Sequence, residues 1–265
     1  MAWRGASQNM RRVSEVRYST MPIGALARAS AASHPRMLSE CPQYALRMLE
    51  GTMRLLLIRH GQTPANVLGQ LDTAHPGPGL TALGERQATA VAEALREQQI
   101  DGVFATTLVR TQLTARPFAA ATVIDGLHEI EAGDLEGRSD RASARTYLET
   151  AFAWGSGDLD VTMPGATDGH AFFQRFDRGI SAVSNLDTIA VFSHGAAIRV
   201  WTAGRAINVP PIFAGSHELD NTGVVELVGS PEEGWTLVSW AGAPIGGPDL
   251  VDDSASDPTG EAIER

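Results

Sequence analysis

The sequence predicts a doubly wound α/β domain over residues 53–240, three α/β/α layers deep with a mostly parallel sheet. Two observations carry that prediction. Short, largely apolar runs such as Met53–Ile58 and Thr188–Phe192 read as strands buried on both faces, the environment of a parallel sheet. Segments with apolar residues at helical spacing lie between them, and alternation of the two kinds makes crossover connections.

Element by element, the first strand runs through Met53-Arg54-Leu55-Leu56-Leu57-Ile58 and stops at Arg59-His60-Gly61. A helix follows over 81–99, where Leu83, Val91 and Leu95 form a stripe and Thr81 is the expected N-cap. Asp101–Ala105 is a second strand. Thr106 and Thr107 are the capping candidates for the helix through Leu108, Val109 and Leu113. Thr122–Ile124 is a third, weak strand. Two helices are expected near 140–154 and 168–184, separated by a Gly-, Pro- and Asp-rich stretch. Thr188–Phe192 is a fourth strand that again ends at a histidine, His194, before a helix over 196–204. Gly223–Val228 and Trp235–Trp240 read as a pair of edge strands.

Composition narrows the function. The chain has 265 residues, a net charge of −10 and one cysteine, Cys41, so no internal disulfide framework and no cysteine-based metal cluster is expected. All 21 basic residues are arginine. Seven of them fall in residues 1–52 against three glutamates, so this stretch carries +4 and the rest −14. An acidic body argues against a nucleic-acid partner. With no run of 18 apolar residues, no membrane partner is expected either, and the expected compartment is cytoplasmic. Residues 1–52 show no sustained period and read as disordered or, if translation starts at Met53, as a spurious extension; a transit peptide is the less favoured alternative. Residues 241–265 read as a disordered acidic tail.

In open α/β sheets, ligands bind beyond the carboxyl ends of the strands. Three such ends here carry polar residues of complementary type: Arg59 and His60 after the first strand, Arg110 in the helix after the second, and His194 after the fourth. Two guanidiniums and two imidazoles at one rim suit a phosphoryl group, because arginine forks bind tetrahedral oxyanions and keep their charge. A neutral imidazole there can also accept the phosphoryl group and split one displacement into two steps. The leaving oxygen then needs an acid, and Glu129 or Glu131 stands at the same sheet edge. These placements do not choose which histidine attacks.

The run Arg59-His60-Gly61-Gln62-Thr63-Pro64-Ala65-Asn66 resembles the R-H-G-x-T-x-x-N motif of the histidine phosphatase superfamily, of phosphoglycerate-mutase-like fold. Five specified positions arise by chance in a chain this long on the order of once in ten thousand. Leu80–Ala88, Thr107–Ala115, Leu127–Gly137, Val191–Gly195 and Asn221–Gly223 are similar to its later motifs. The resemblance implies that His60 is phosphorylated, that Arg59, Arg110 and His194 hold the phosphoryl group, and that Glu129 rather than Glu131 protonates the leaving oxygen. It further implies that Asn66 and Gln62 contact the phosphate or the substrate.

The family's P-G-G-E-S is here Pro164-Gly165-Ala166-Thr167-Asp168, and the mutases' W-N is Ala65-Asn66. Without lysine or extra cations for a second phosphate, the expectation is a metal-independent phosphomonoester hydrolase needing no cofactor, with a small-molecule phosphate ester as its partner. A phosphoglycerate-mutase-type phosphotransferase and a non-catalytic phosphate-binding protein are the alternatives. A homodimer is compatible with the sequence. Glu131 and His128 are expected to be exposed loop residues, His34, His75, His170 and His217 show no metal-ligand spacing, and Phe152, Trp154, Phe172, Phe173 and Phe176 are expected in the core. Specificity is expected to lie in 138–170.

Overall fold

Every strand expected from the hydropathy pattern forms, and the six strands join in one sheet in the order β3, β2, β4, β1, β5, β6. The structure, a computed structural model, describes residues 52–260 apart from 119, 120, 253 and 256. The expected N-terminal extension thus lies outside the described residues except for Thr52.

Strand β1 (Met53–Arg59) pairs in parallel with β4 (Thr188–Ser193), which pairs in parallel with β2 (Gly102–Ala105), and β2 in turn with β3 (Thr122–Val123). The period of two divides the two central strands between opposite faces. Leu55, Leu57, Ile189 and Val191 pack on one side with the aromatic residues of α4 (Arg141–Gly155), α5 (Gly169–Ser181) and α6 (Gly195–Arg205), including Trp154, Phe176 and Trp201. Leu56, Ile58, Ala190 and Phe192 pack on the other side with Val91 and Leu95 of α2 (Ala82–Leu95) and Ala115 of α3 (Val109–Ala115). Covering both faces is what lets these strands be apolar at every position. The five aromatic residues expected in the core are all buried there.

The caps explain where several helices start. Thr81, Asp140 and Asp168 accept from the backbone N–H groups of Gly84, Ser143 and Ala171, which opens α2, α4 and α5. In the departing segment Pro164–Asp168, the acid is therefore a helix cap. Helix α3 departs from expectation: its N-cap is Leu108, with no side-chain cap, and Thr106, two residues earlier, accepts from Leu108 N and meets Thr111 Oγ1 within the helix.

Two further expectations are corrected. β5 (Val224–Ser230) is an interior strand, antiparallel to both β1 and the true edge strand β6 (Gly234–Ala241). The tail expected to be disordered is ordered where described. Leu250, Thr259 and Gly260 are buried, the Leu250 carbonyl accepts from Gln87 Nε2, and the Gly260 carbonyl accepts from Leu219 N. Polar composition argues for disorder only when a segment has nothing to satisfy. This one meets buried donors. Among the described residues no helix is long and apolar enough to cross a membrane.

Candidate active site

The carboxyl ends of β1, β2 and β4 meet at one rim, and the parallel register of β1 on β4 sets Arg59 opposite Ser193. His60 and His194 follow directly, and their ring centroids are 5.3 Å apart. Both are buried. His60 N donates to Ser193 O, and Asn221 Nδ2 donates to His60 O at 3.0 Å. Thr222, at φ 60°, reaches the same strand end through its backbone N–H. A left-handed β-branched residue is costly, so this turn is held by its surroundings beside the site.

Glycines let the loop close. A Cβ on Gly61 would stand 2.7 Å from Gly84 O, and one on Gly84 2.2 Å from Gln62 O. Only bare backbone permits that approach between the His60 loop and the start of α2.

His60 Nδ1 lies 2.8 Å from Gly61 O, which assigns the proton to Nδ1 and leaves the Nε2 lone pair free. Burial, then the charges of Arg110 and Arg59, hold the His60 pKa well below the usual imidazole value. The ring is therefore neutral, as a nucleophile must be. His194 is lowered likewise, chiefly by burial and by Arg110. Its Nε2 meets Thr106 Oγ1 at 2.9 Å.

Arg59 Nη1 donates to Leu219 O and its Nη2 to Thr259 Oγ1, and Arg110 Nη2 donates to Asp72 O. Arg59 Nε, Arg110 Nε and Nη1, and His194 Nδ1 are buried nitrogens without a hydrogen-bond partner among the described residues. Native interiors rarely leave such groups unmatched, and this set of donors fits a phosphoryl group.

Glu129 is buried against the first turn of α6. Its Oε1 accepts from Ile130 N (2.9 Å) and Ala197 N (2.8 Å), and its Oε2 from Ala196 N (3.2 Å). Burial raises the Glu129 pKa against the lowering effect of the Ile130 and Ala197 N–H bonds and of Arg110 and Arg59. Glu131 is more than half exposed, as expected.

A match to the family model described as the histidine phosphatase superfamily (branch 1) spans residues 55–242. The chain belongs to that superfamily. PE-PGRS family protein PE_PGRS11 of Mycobacterium tuberculosis is 40% identical over 213 residues, which cover 71% of this chain and 36% of that protein, so this histidine phosphatase spans about a third of that relative's length. The adenosylcobalamin/alpha-ribazole phosphatase of Escherichia coli K12 is 35% identical over 167 residues, covering 60% of this chain and 81% of that enzyme. Among solved structures, the alpha-ribazole phosphatase from Shigella flexneri aligns with a TM-score of 0.58 and 30% identity over 74% of this chain and all of that one.

The histidine phosphatase sequence did not reveal everything at its rim. Asn66 and Gln62 are buried beside His60, but each is turned to the tail. Asn66 Nδ2 donates to Asp257 Oδ1 at 3.1 Å, and its Oδ1 serves the capping box of the short helix Pro64–Val67. Gln62 Nε2 donates to Asp252 Oδ2 at 2.8 Å. Asp257 Oδ2 also stands 2.5 Å from Arg59 Nη2. No local signal marks these tail residues, because the contacts join positions about 200 apart in the chain. His128, expected to be exposed, is buried, stacked edge-on against His75 at 5.2 Å, with its pKa pushed down to about 4 chiefly by burial.

Asp257 brings negative charge to the guanidinium that a phosphate would use. Asp257→Asn keeps the shape and removes the charge, so inorganic phosphate should inhibit more strongly, on the order of tenfold. Unchanged or weaker inhibition by phosphate would contradict that competition.

Proposed function

We propose that this histidine phosphatase hydrolyses small-molecule phosphate monoesters through a phosphohistidine at His60. One observation carries the reading: a neutral imidazole with its Nε2 free, in the same buried site as guanidinium and imidazole nitrogens that have no hydrogen-bond partner among the described residues. In the first step the His60 Nε2–P bond forms and the ester P–O bond breaks, while Glu129 passes its proton to the leaving oxygen. In the second, water attacks phosphorus, Glu129 takes a proton back, and the N–P bond breaks to release phosphate. Arg59 and Arg110 neutralise the equatorial oxygens throughout, and His194 donates a hydrogen bond to them.

The two alpha-ribazole phosphatases among the relatives above support hydrolysis over phosphoryl shuttling. So does a cavity of about 290 Å³ beside Gln62 and Asn221, whose lining includes the acids Glu218, Asp220, Asp252 and Asp257. Such a wall repels a leaving group that carries a carboxylate and favours a neutral one.

The test is a panel of phosphate esters, with free phosphate and isomeric products measured side by side in the presence of a chelator. Phosphate release that persists in chelator is expected, because the two arginines supply the positive charge that a metal would otherwise bring. Isomer formation without phosphate release, or activity restored only by added Mg²⁺, would refute the assignment.

A further inference from the structure

We propose that Arg175, which lies outside the phosphate site, is a positioning residue for the proton donor: its guanidinium holds the loop that presents Glu129, and so decides how the acid meets the leaving oxygen. This rests on the reading of Glu129 given above. The loop after β3 has no ladder of its own, yet five consecutive carbonyls in it each accept from a side chain. Arg175 Nη1 donates to Gly126 O and His128 O, both at 2.8 Å, and its Nη2 to Glu129 O at 3.0 Å. Ser193 Oγ takes Leu127 O at 2.7 Å, and Tyr147 OH takes Ile130 O at 2.8 Å. Three of the five are held by one planar fork.

The contact is close as well as polar. Arg175 sits in the middle of α5, and a Cβ on Gly126, where φ is +91°, would stand 2.9 Å from the Arg175 carbonyl. A buried irregular segment must find donors for its carbonyls, and a rigid guanidinium can serve several at once where an ammonium cannot. The side chain of Glu129 is fixed from the opposite direction by the N–H groups of Ala196 and Ala197. The acid is therefore clamped between α5 and α6, its main chain by the first and its carboxyl by the second. Releasing the main-chain half should let the carboxyl retreat from a leaving group while the phosphate site stays intact, and displacements of about 1 Å suffice to cost orders of magnitude.

The experiment uses the full chain with Arg175→Lys and Arg175→Gln, and compares p-nitrophenyl phosphate, whose leaving group departs without a proton, with an alkyl phosphate that needs one. If Arg175 positions the acid, the single-turnover rate of phosphoenzyme formation from the alkyl ester falls on the order of 30-fold or more while that from the nitrophenyl ester changes by less than about threefold; this step is the readout because dephosphorylation uses Glu129 for either ester. The lysine variant should be the milder of the two. Both variants should still trap phosphoryl label on His60. Equal losses on both esters in Arg175→Lys, or no loss on either, would overturn the inference even with Arg175→Gln unfolded. Glu129→Gln run in parallel separates the two ideas: asymmetry there with none at Arg175 sinks the positioning role alone, and no asymmetry at Glu129 sinks the underlying reading and this inference together.

Discussion

Incubated with a labelled phosphate ester and denatured in alkali, the wild-type chain should retain a phosphoryl group that acid releases, and His60→Ala should retain none. The same substitution should lower kcat/KM on the order of 10⁴-fold or more, the scale on which loss of a covalent nucleophile acts. The physical reason is that the free Nε2 of His60 has no equivalent substitute at the rim: the guanidiniums cannot lose their protons, Glu129 is held by three backbone N–H groups, and the Nε2 of His194 is engaged by Thr106 Oγ1. Folding should survive the change. The ring makes one hydrogen bond, to its neighbour's carbonyl, so the melting temperature should move little. Label that persists in His60→Ala would place the covalent step elsewhere and remove the central premise of the mechanism.

Glu129→Gln should slow phosphoenzyme formation about 10²- to 10⁴-fold from alkyl phosphates and little from p-nitrophenyl phosphate. Its pH profile supplies an independent check. An acid catalyst must be protonated, so wild-type activity should fall as pH rises through the raised Glu129 pKa. A nucleophilic imidazole must be neutral, so activity should rise through the lowered His60 pKa on the acid side. The two limbs belong to the coupled site, and a dianionic substrate would push the Glu129 limb higher still. The glutamine variant should keep the acid limb and lose the basic one. It should also be less stable by about 1–3 kcal/mol, because either orientation of the amide turns its NH₂ toward a backbone N–H. A basic limb unchanged in Glu129→Gln would assign that titration to another group.

Asp257 shows what a reading of the site from sequence leaves out. The sequence alone determined the strands, because Leu55–Ile58 and Ile189–Phe192 are apolar at every position and that pattern is local. It determined the helix start at Thr81, since a cap is written within four residues, and the approximate positions of the helices that Asp140 and Asp168 open. It also placed Arg59, His60, Arg110 and His194 at one rim, which the parallel pairing of β1 with β4 and of β4 with β2 then brought together.

Only the tertiary structure decided the rest. The pairing of β5 against β1, the contact of Thr106 with His194, the burial of His128, the grip of Arg175 on the Glu129 loop and the fold of Asp252, Asp257 and Thr259 onto Gln62, Asn66 and Arg59 all depend on partners far along the chain. Hydropathy and capping report on the nearest few residues. A buried cation, by contrast, draws its counter-charge and hydrogen bonds from wherever the chain can supply them, and its neighbours in sequence carry no record of which residues those are.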